Sequence, residues 1–243
     1  MNKASMVSIF LRSLTVQLSF NFRTMQGLGF AFSILPLKRV VKRADGKNNE
    51  DFIATHLRMF HTNPYLAPAI IGSVVKMEEK GDGARKAYDI KSALMAPYAA
   101  IGDSFFWGAL CLFSSVLTVL LALHGSILAP LTFMLVFSPA QLLVRVNGFI
   151  KGYHLGVDGF NYIKTLDLPS VSSRLHYGSL FIIGLLAVWG LNANGEYENS
   201  LRAIFFWLFG ASVFSLSFLG ALRQISIEKI IYGVVLLCMV ISY

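Results

Sequence analysis

Residues 92–123, SALMAPYAAIGDSFFWGALCLFSSVLTVLLAL, decide the fold, because this apolar run contains a single charged residue, Asp103. About 20 apolar residues in a helix cross a bilayer core of about 30 Å. The run is therefore longer than one spanning helix requires. A carboxylate inside such a run is costly to bury in lipid, so we expect Asp103 to accept hydrogen bonds or to face a polar cavity.

The residues around Asp103 predict a break in the run. Pro97 lacks the amide donor that a helix interior needs, and Gly102 tolerates irregular backbone. Asp103 and Ser104 are both favoured helix N-cap residues. We therefore predict a short apolar segment up to residue 101, then a turn, and then a spanning helix from about Ser104 to residue 123.

The composition of the whole chain predicts an all-α integral membrane protein. Its 243 residues are 55% hydrophobic and only 14% charged, and the mean hydropathy is +0.61. An ordinary soluble domain is about a quarter charged. The apolar runs indicate roughly five transmembrane helices, over residues 104–123, 126–144, 177–194, 203–222 and 230–243. The last run, about 21 Å as a helix, would cross only where the membrane is thinned or a partner helps, and otherwise it ends within the membrane.

The positive charge is concentrated in the first part of the chain. Residues 1–91 hold fourteen Lys and Arg against seven Asp and Glu, whereas residues 92–243 hold seven against six. Because this basic part adjoins membrane segments, retention on the cytoplasmic side explains it more simply than nucleic-acid binding does. We predict a basic, largely cytoplasmic or interfacial half over 1–91 and a transmembrane bundle over 92–243, with a cytoplasmic segment at 145–176.

The N-terminus predicts an amphipathic helix that lies in the membrane interface or packs on a partner. One face of this helix is apolar and the other is polar. The apolar face comprises Val7, Phe10, Leu11, Leu14 and Leu18, and the polar face comprises Ser8, Arg12, Thr15 and Ser19.

A second broken apolar segment, PYLAPAIIGSVV at residues 64–75, is too short to cross a membrane. It follows a predicted helix over residues 51–63 and precedes the charged stretch 76–91, which we interpret as an aqueous, flexible linker. Paired short segments interrupted by Pro and Gly are typical of re-entrant or discontinuous helices around a membrane-buried site, although two kinked helices would give the same pattern. The predicted hinges are Pro64, Pro68, Gly72, Pro97 and Gly102.

Two further features concern helix packing. The span over residues 126–144 is expected to kink near Pro130 and Pro139. Glycines recur at every fourth position after it, which gives one helix a smooth face for close contact with another helix. These glycines are Gly148, Gly152 and Gly156.

The sequence offers little for catalysis and more for binding of a polar solute. None of the five His pairs with another at i+3 or i+4, and the two Cys lie in separate apolar runs, so we expect no catalytic residue, no metal site and no cofactor. Amides, hydroxyls, a carboxylate and an aromatic ring are groups that bind sugars. The candidate substrate-binding residues are Asn21, Gln26, Thr62, Asn63, Asp103, Ser104 and Trp107. Alternatively, Asp103 only caps a helix and Trp107 only packs.

Four stretches of the chain resemble the IID subunit of the mannose/fructose/sorbose family of phosphotransferase-system permeases. The likeness runs in the expected order from about Leu11 to Gly159, and the four stretches within it read LRSLTVQLSFNFRTMQGLGF, HLRMFHTNPYLAPAIIGSVVKMEE, LMAPYAAIGDSFFWG and RVNGFIKGYHLG. Beyond Gly159 the likeness is only one of hydrophobicity.

The resemblance implies a multi-pass subunit of the bacterial cytoplasmic membrane. Such a subunit pairs with a IIC subunit, as a trimer of IIC–IID heterodimers in the bilayer. A hexose of the mannose type is bound between them, carried inward and phosphorylated by the soluble IIB protein, which receives its phosphate through IIA. The IID chain then holds no phosphorylated residue and is a non-catalytic subunit of the complex.

The chain also departs from the family pattern. Arg23 stands where the family usually has Glu, the family's Asn-Thr-His/Gln-Pro is replaced by residues 61–64 (HTNP), and the Arg-Pro usual after Trp107-Gly108 is replaced by residues that include Cys111. These changes leave open a second hypothesis, a non-transporting membrane scaffold or regulator that docks IIA and IIB. An unrelated membrane enzyme is a third hypothesis.

Overall fold

The computed structural model describes residues 1–39, 49–81 and 84–193, with isolated positions between 208 and 236. This part of the chain is mainly helical and contains no β-strand, only isolated bridges that join residue 21 to 25 and 25 to 60. The helical fold class is confirmed. Residues 40–48 lie outside the described residues, as do most of the predicted spans over 203–222 and 230–243.

The described ranges contain nine α-helices and four short helical segments. The α-helices are α1 (Lys3–Ser13), α2 (Gly27–Ile34), α3 (Asn49–Leu57), α4 (Ala67–Lys80), α5 (Ala84–Gly102), α6 (Cys111–Leu123), α7 (Ala129–Leu155), α8 (Gly159–Thr165) and α9 (Leu168–Ala193). Val16–Ser19, Leu35–Arg39 and Gly156–Asp158 are 3₁₀ turns, and Asp103–Leu110 is a π-helix.

The chain divides into two compact units. The first unit comprises Met1–Ser104 and Pro139–Leu168, and the second comprises Phe105–Ser138 and Pro169–Tyr243. The predicted division at residue 91 rested on charge and membrane exposure rather than on packing, so it stays a prediction.

The predicted turn after residue 101 was wrong. Helix α5 continues through Pro97 and Gly102 into the π-helix and then α6, so that Arg85–Leu123 is one helix of 39 residues. Proline removes a single hydrogen bond, which neighbouring groups can replace, and a π segment keeps the backbone hydrogen-bonded where α geometry is interrupted. Asp103 is therefore inside a continuous helix and is not an N-cap.

Two other predicted boundaries were also wrong. Helix α3 ends at Leu57, six residues before Asn63, so that residues 58–63 form an irregular connection rather than the last turns of a helix. The predicted flexible linker over 76–91 belongs mainly to α4 and α5. Helix α4 ends at Lys80 and is capped by Gly81, whose φ of 77° is easily adopted only by glycine.

Helix α7 begins at Ala129 and contains Pro139 in its interior. Pro130 is its second residue, where a missing amide costs nothing, so the kink predicted at that proline was wrong. Gly148 and Gly152 contact α4 at Ala69. Gly156 follows the end of α7 with a φ of 59°, so it makes a turn rather than continuing the predicted smooth face.

Helices long and apolar enough to cross a membrane occur twice in the described ranges, at Arg85–Leu123 and Ala129–Leu155. Many of their large apolar side chains are exposed in the isolated chain, among them Leu135 and Leu143. The N-terminal helix α1 packs on α2 and leaves Val7 and Leu11 more than half exposed. Its position in the membrane interface stays a prediction.

Candidate functional site

The loop that follows α1 is held by the side chain of Asn21. Its Oδ1 accepts hydrogen bonds from the backbone N–H groups of Arg23 and Thr24, and its Nδ2 donates to Thr24 Oγ1 at 3.0 Å. Met25 adopts a left-handed conformation with φ 55°. The Asn21 side chain therefore makes its hydrogen bonds within its own loop, and the Arg23 side chain is exposed.

Gln26 and Thr62 form a reciprocal pair in the interior of the first unit. Gln26 Nε2 donates to the Thr62 carbonyl oxygen at 2.9 Å, and the Thr62 N–H donates to Gln26 Oε1 at 3.0 Å. Both residues are almost fully buried, so this amide fixes the backbone of the connection 58–63 much as a neighbouring strand would. The buried Thr62 hydroxyl has no hydrogen-bond partner within the described residues.

Asn63 and Asp103, 40 residues apart in sequence, meet at the end of α5. Asn63 Nδ2 donates to Asp103 Oδ1 at 2.8 Å, while Asn63 Oδ1 accepts from the N–H of Tyr65 at 3.0 Å. Asn63 is 1% exposed, whereas Asp103 is exposed at the surface of the unit. A buried amide thus orients a carboxylate that is open to a solute.

Gly102 makes this approach possible. A Cβ at position 102 would lie within 2.5 Å of Asn63 Cγ and 3.0 Å from its Oδ1, both well inside van der Waals contact. Only glycine fits there without displacing Asn63. Sequence analysis treated Gly102 as a hinge, but its described role is to admit a neighbouring side chain.

The remaining predicted residues comprise the neighbour of Asp103 in sequence, one further residue of the π-helix and residues in or before α4. Ser104, the residue that follows Asp103, is exposed. Trp107 belongs to the second unit, where its ring is half exposed and lies 6.4 Å from the ring of Phe137, centroid to centroid. Pro64 precedes α4 and Pro68 is its second residue, a position that favours proline. A Cβ on Gly72 would meet the backbone of α7 at Tyr153 N, 2.9 Å away, so Gly72 serves helix packing.

Sequence analysis missed three buried ionisable residues beside this site, His56, Glu78 and Lys91. His56 Nε2 and Glu78 Oε1 are 2.9 Å apart, and Lys91 Nζ donates to the carbonyl oxygens of His56 at 3.0 Å and Arg58 at 3.1 Å. Glu78 and Lys91 come from the charged stretch 76–91, which suggested solvent, and His56 comes from the predicted helix over residues 51–63. The helical spacing of Lys91 with Ala87, Leu94 and Tyr98, which form the buried stripe of α5, is the signal that could have identified it.

Glu79 links α4 to α7. It accepts a hydrogen bond from the Tyr153 hydroxyl at 2.6 Å, and it pairs with Lys76 and the Met1 ammonium group. Burial alone raises the pKa of Glu79, but these hydrogen bonds and positive charges outweigh it and lower the pKa to about 2. No cluster of three or more His, Cys, Asp or Glu suited to a metal ion occurs in the part of the chain that the structure describes.

Comparison with known proteins identifies the family. The sequence pattern of the PTS system mannose/fructose/sorbose family IID component matches residues 1–243. The mannose-specific EIID component of Escherichia coli K12 is 33% identical over 183 residues, which are 73% of this chain and 65% of that protein. The sorbose-specific EIID component of Klebsiella pneumoniae is 33% identical over 76% of this chain and 69% of that protein. The chain thus spans 65% of the length of the E. coli relative.

Solved structures show the same likeness. A chain of the mannose transporter ManYZ, determined by cryo-electron microscopy in complex with microcin E492, has a TM-score of 0.60 and 27% identity, covering 99% of this chain and 96% of that one. A second membrane protein has a TM-score of 0.65 and 28% identity, covering 98% and 96%. These comparisons confirm the resemblance and do not favour the scaffold hypothesis. The chain belongs to the mannose/fructose/sorbose family of PTS IID components.

Proposed function

We propose that this chain is a membrane subunit of a phosphoenolpyruvate-dependent sugar phosphotransferase system, and that with a IIC subunit it binds and translocates a hexose of the mannose type. The observation that carries the proposal is the Asn63–Asp103 pair, which presents an oriented, exposed carboxylate at the end of an apolar helix. Carboxylates accept hydrogen bonds from sugar hydroxyls, and hydrogen bonds to charged groups contribute about 1.5–3 kcal/mol. In this proposal Asp103 and Ser104 contact the sugar.

The buried residues have a supporting part in this proposal. Gln26 and Asn63 are 1% exposed and Thr62 is 2% exposed, so they act by fixing the backbone and side chains that meet the solute. Asn21 shapes the adjoining loop. The ring of Trp107 is half exposed in the second unit, and an aromatic ring of this kind packs on the apolar face of a sugar ring, so Trp107 stays a predicted substrate-binding residue.

The partners follow from family membership and are proposals for this chain. They are the lipid bilayer of the bacterial cytoplasmic membrane, crossed several times, a IIC subunit in a trimer of heterodimers, and soluble IIA and IIB. IIB would phosphorylate the sugar, so this chain contributes binding and passage rather than chemistry. The basic part over residues 1–91 would face IIA and IIB on the cytoplasmic side.

Reconstitution tests the proposal directly. Vesicles that contain this chain and a IIC partner are expected to take up labelled mannose and phosphorylate it when phosphorylated IIA and IIB are supplied on the inside. Vesicles with IIC alone are the control. Failure to take up any hexose from an assembled complex would contradict the proposal.

The carboxylate is tested by Asp103→Ala in the same vesicles. Loss of a charged hydrogen-bonding group predicts a decrease in uptake of about 10- to 150-fold, with the complex still assembled. Asp89→Ala is the matched control, since Asp89 is an exposed acid on α5. Unchanged uptake by Asp103→Ala would remove Asp103 from the site.

A substitution at Arg23 tests whether the departure from the family's usual Glu affects the choice of sugar. Arg23→Glu restores the acid usual in the family on a loop whose shape is set by Asn21, so the fold should not change. We expect altered preference between labelled mannose, fructose and sorbose. The same preference in an assembled complex would exclude residue 23 from selectivity.

A further inference from the structure

Three ionisable side chains are buried where α3, α4 and α5 meet. His56 and Lys91 are 0% exposed and Glu78 is 3% exposed. Burial of a charge is costly unless other groups compensate for it, so such a cluster requires either a structural or a functional reason.

Lys91 is compensated by backbone and aromatic groups. Its ammonium group donates to the carbonyl oxygens of His56 and Arg58, at 3.0 and 3.1 Å, and it lies 4.4 Å from the ring centroid of Phe30 and 5.4 Å from that of Phe60. Lys91 forms no ion pair within the described ranges. Because α3 ends at Leu57, these carbonyls lie at a helix C-terminus, which a positive charge stabilises.

These contacts attach α5 to the start of the connection 58–63. The connection is then held in the middle, where the Phe60 N–H donates to the Thr24 carbonyl at 3.2 Å and the Gln26 N–H donates to the Phe60 carbonyl at 2.8 Å. Its far end carries Asn63, which meets Asp103 just after the end of α5. The same helix therefore binds the connection at both of its ends, at positions 12 residues apart in sequence, about 18 Å along the helix.

The His56–Glu78 pair attaches α4 to the same helix end. His56 Nε2 lies 2.9 Å from Glu78 Oε1, and the imidazole ring stacks on Phe30 at 5.8 Å between centroids. The C-terminal end of α3, to which Lys91 donates its hydrogen bonds, is thus also held by α4. If Lys91 is displaced, α3 therefore stays in place and the change in position falls on residues 58–63.

We propose that Lys91 is a positioning residue for the sugar site: its ammonium group fixes the connection 58–63 to α5 and so sets Asn63 against Asp103. Lys91 does not itself contact the solute. The consequence for transport rests on the proposed function, whereas the consequence for the geometry of Asn63 and Asp103 does not.

The geometric part is tested without transport. In the full chain with Cys111 and Cys238 replaced by Ser, the pair Asn63→Cys and Asp103→Cys is treated with an oxidant, and the yield of internal disulfide is measured. Lys91→Met, which has a similar length and no charge, should lower the yield at least threefold. Lys86→Met, an exposed lysine on the same helix, should leave the yield unchanged.

The transport part uses the reconstituted complex with native Asn63 and Asp103. A displacement of about 1 Å can cost about 100-fold in a positioned reaction, so Lys91→Met should raise the KM for mannose by about 10- to 100-fold with little change in maximal rate. Lys91→Gln keeps an uncharged amide group with two N–H donors on a shorter side chain and should give intermediate values in both assays. If no wild-type vesicle transports a hexose, the proposed function fails while the disulfide assay still decides the role of Lys91.

Two results would overturn the proposal. One is a wild-type disulfide yield in the Lys91→Met chain. The other is loss of folded protein in both Lys91 variants, which would show that the residue acts in folding rather than in positioning the site.

Discussion

Replacement of Gly102 by Ala is the most direct perturbation of the Asn63–Asp103 pair. The added Cβ would lie within 2.5 Å of Asn63 Cγ, about 1 Å closer than the normal contact of about 3.5 Å between carbon atoms. Since Asn63 is 1% exposed and also accepts from the Tyr65 N–H, it cannot move without losing a hydrogen bond.

The magnitude follows from two costs and one opposing gain. Overpacking in a buried site costs about 1–3 kcal/mol, and loss of the hydrogen bond to the Asp103 carboxylate adds about 1.5–3 kcal/mol. The helix gains about 1 kcal/mol when Gly becomes Ala. The arrangement in which Asn63 is paired with Asp103 therefore loses about 1.5–5 kcal/mol of stability. This corresponds to a decrease of at least about tenfold in the fraction of chains that hold the pair.

The assay compares the KM for labelled mannose in vesicles and the thermal unfolding temperature of the purified complex. Gly102→Ala should raise the KM at least about tenfold and lower the unfolding temperature. Gly233→Ala, where an added Cβ meets no atom of the described residues within 4 Å, is the control. Adding Asn63→Ser to Gly102→Ala should restore stability by making room, but not KM. Wild-type KM and stability in Gly102→Ala would refute the close approach of these residues.

Three further substitutions test other contacts. Gln26→Ala leaves the buried Thr62 N–H without its acceptor, so it should destabilise the protein by about 1–3 kcal/mol in chemical unfolding. The comparison is Gln17→Ala, which removes a less buried amide. Equal effects of the two substitutions would contradict the pairing of Gln26 with Thr62. Gly152→Ala would press a Cβ against the Ala69 backbone, whereas the Cβ of Gly148→Ala would meet the Ala69 side chain at 3.2 Å. Thermal unfolding should therefore show the larger loss of stability for Gly152→Ala, about 1–3 kcal/mol. The reverse order would be inconsistent with the contact between α4 and α7. The lowered pKa of Glu79, about 2 against an ordinary 4.5, means that its carboxylate contributes stability above pH 4.5, which is lost as the pH falls towards 2; Glu79→Gln should remove that part of the acid-induced loss, and an unchanged pH profile would count against it.

The pattern of apolar runs was sufficient to predict a helical membrane protein, because burial in lipid imposes long apolar segments that are visible in one sequence. The same pattern could not locate the irregularity at residues 103–110. Pro97, Gly102 and Asp103 each tolerate a turn, but each also tolerates a distorted helix, and tertiary contacts such as that of Asn63 with Asp103 decide between the two.

The candidate site was identified by residue type, whereas the role of each residue depended on contacts distant in sequence. Nothing near Gln26 indicates that its amide meets Thr62, 36 residues away. Charge was misleading at Glu78 and Lys91, because the sequence rule that charged stretches are solvated fails where two buried groups have specific partners. The spacing of Lys91 with buried apolar residues carried more information than its charge.

The glycine contact between α4 and α7 also limits how the protein can move. At Gly148 and Gly152 the two backbones are so near that no lipid chain or water molecule can enter between them. Packed helices with such small separations slide or bend little, and large rearrangements are taken up at a few terminal or loop positions instead. During a transport cycle we therefore expect α4 and the second half of α7 to travel as one rigid piece, with the bending confined to junctions such as the one at Gly81.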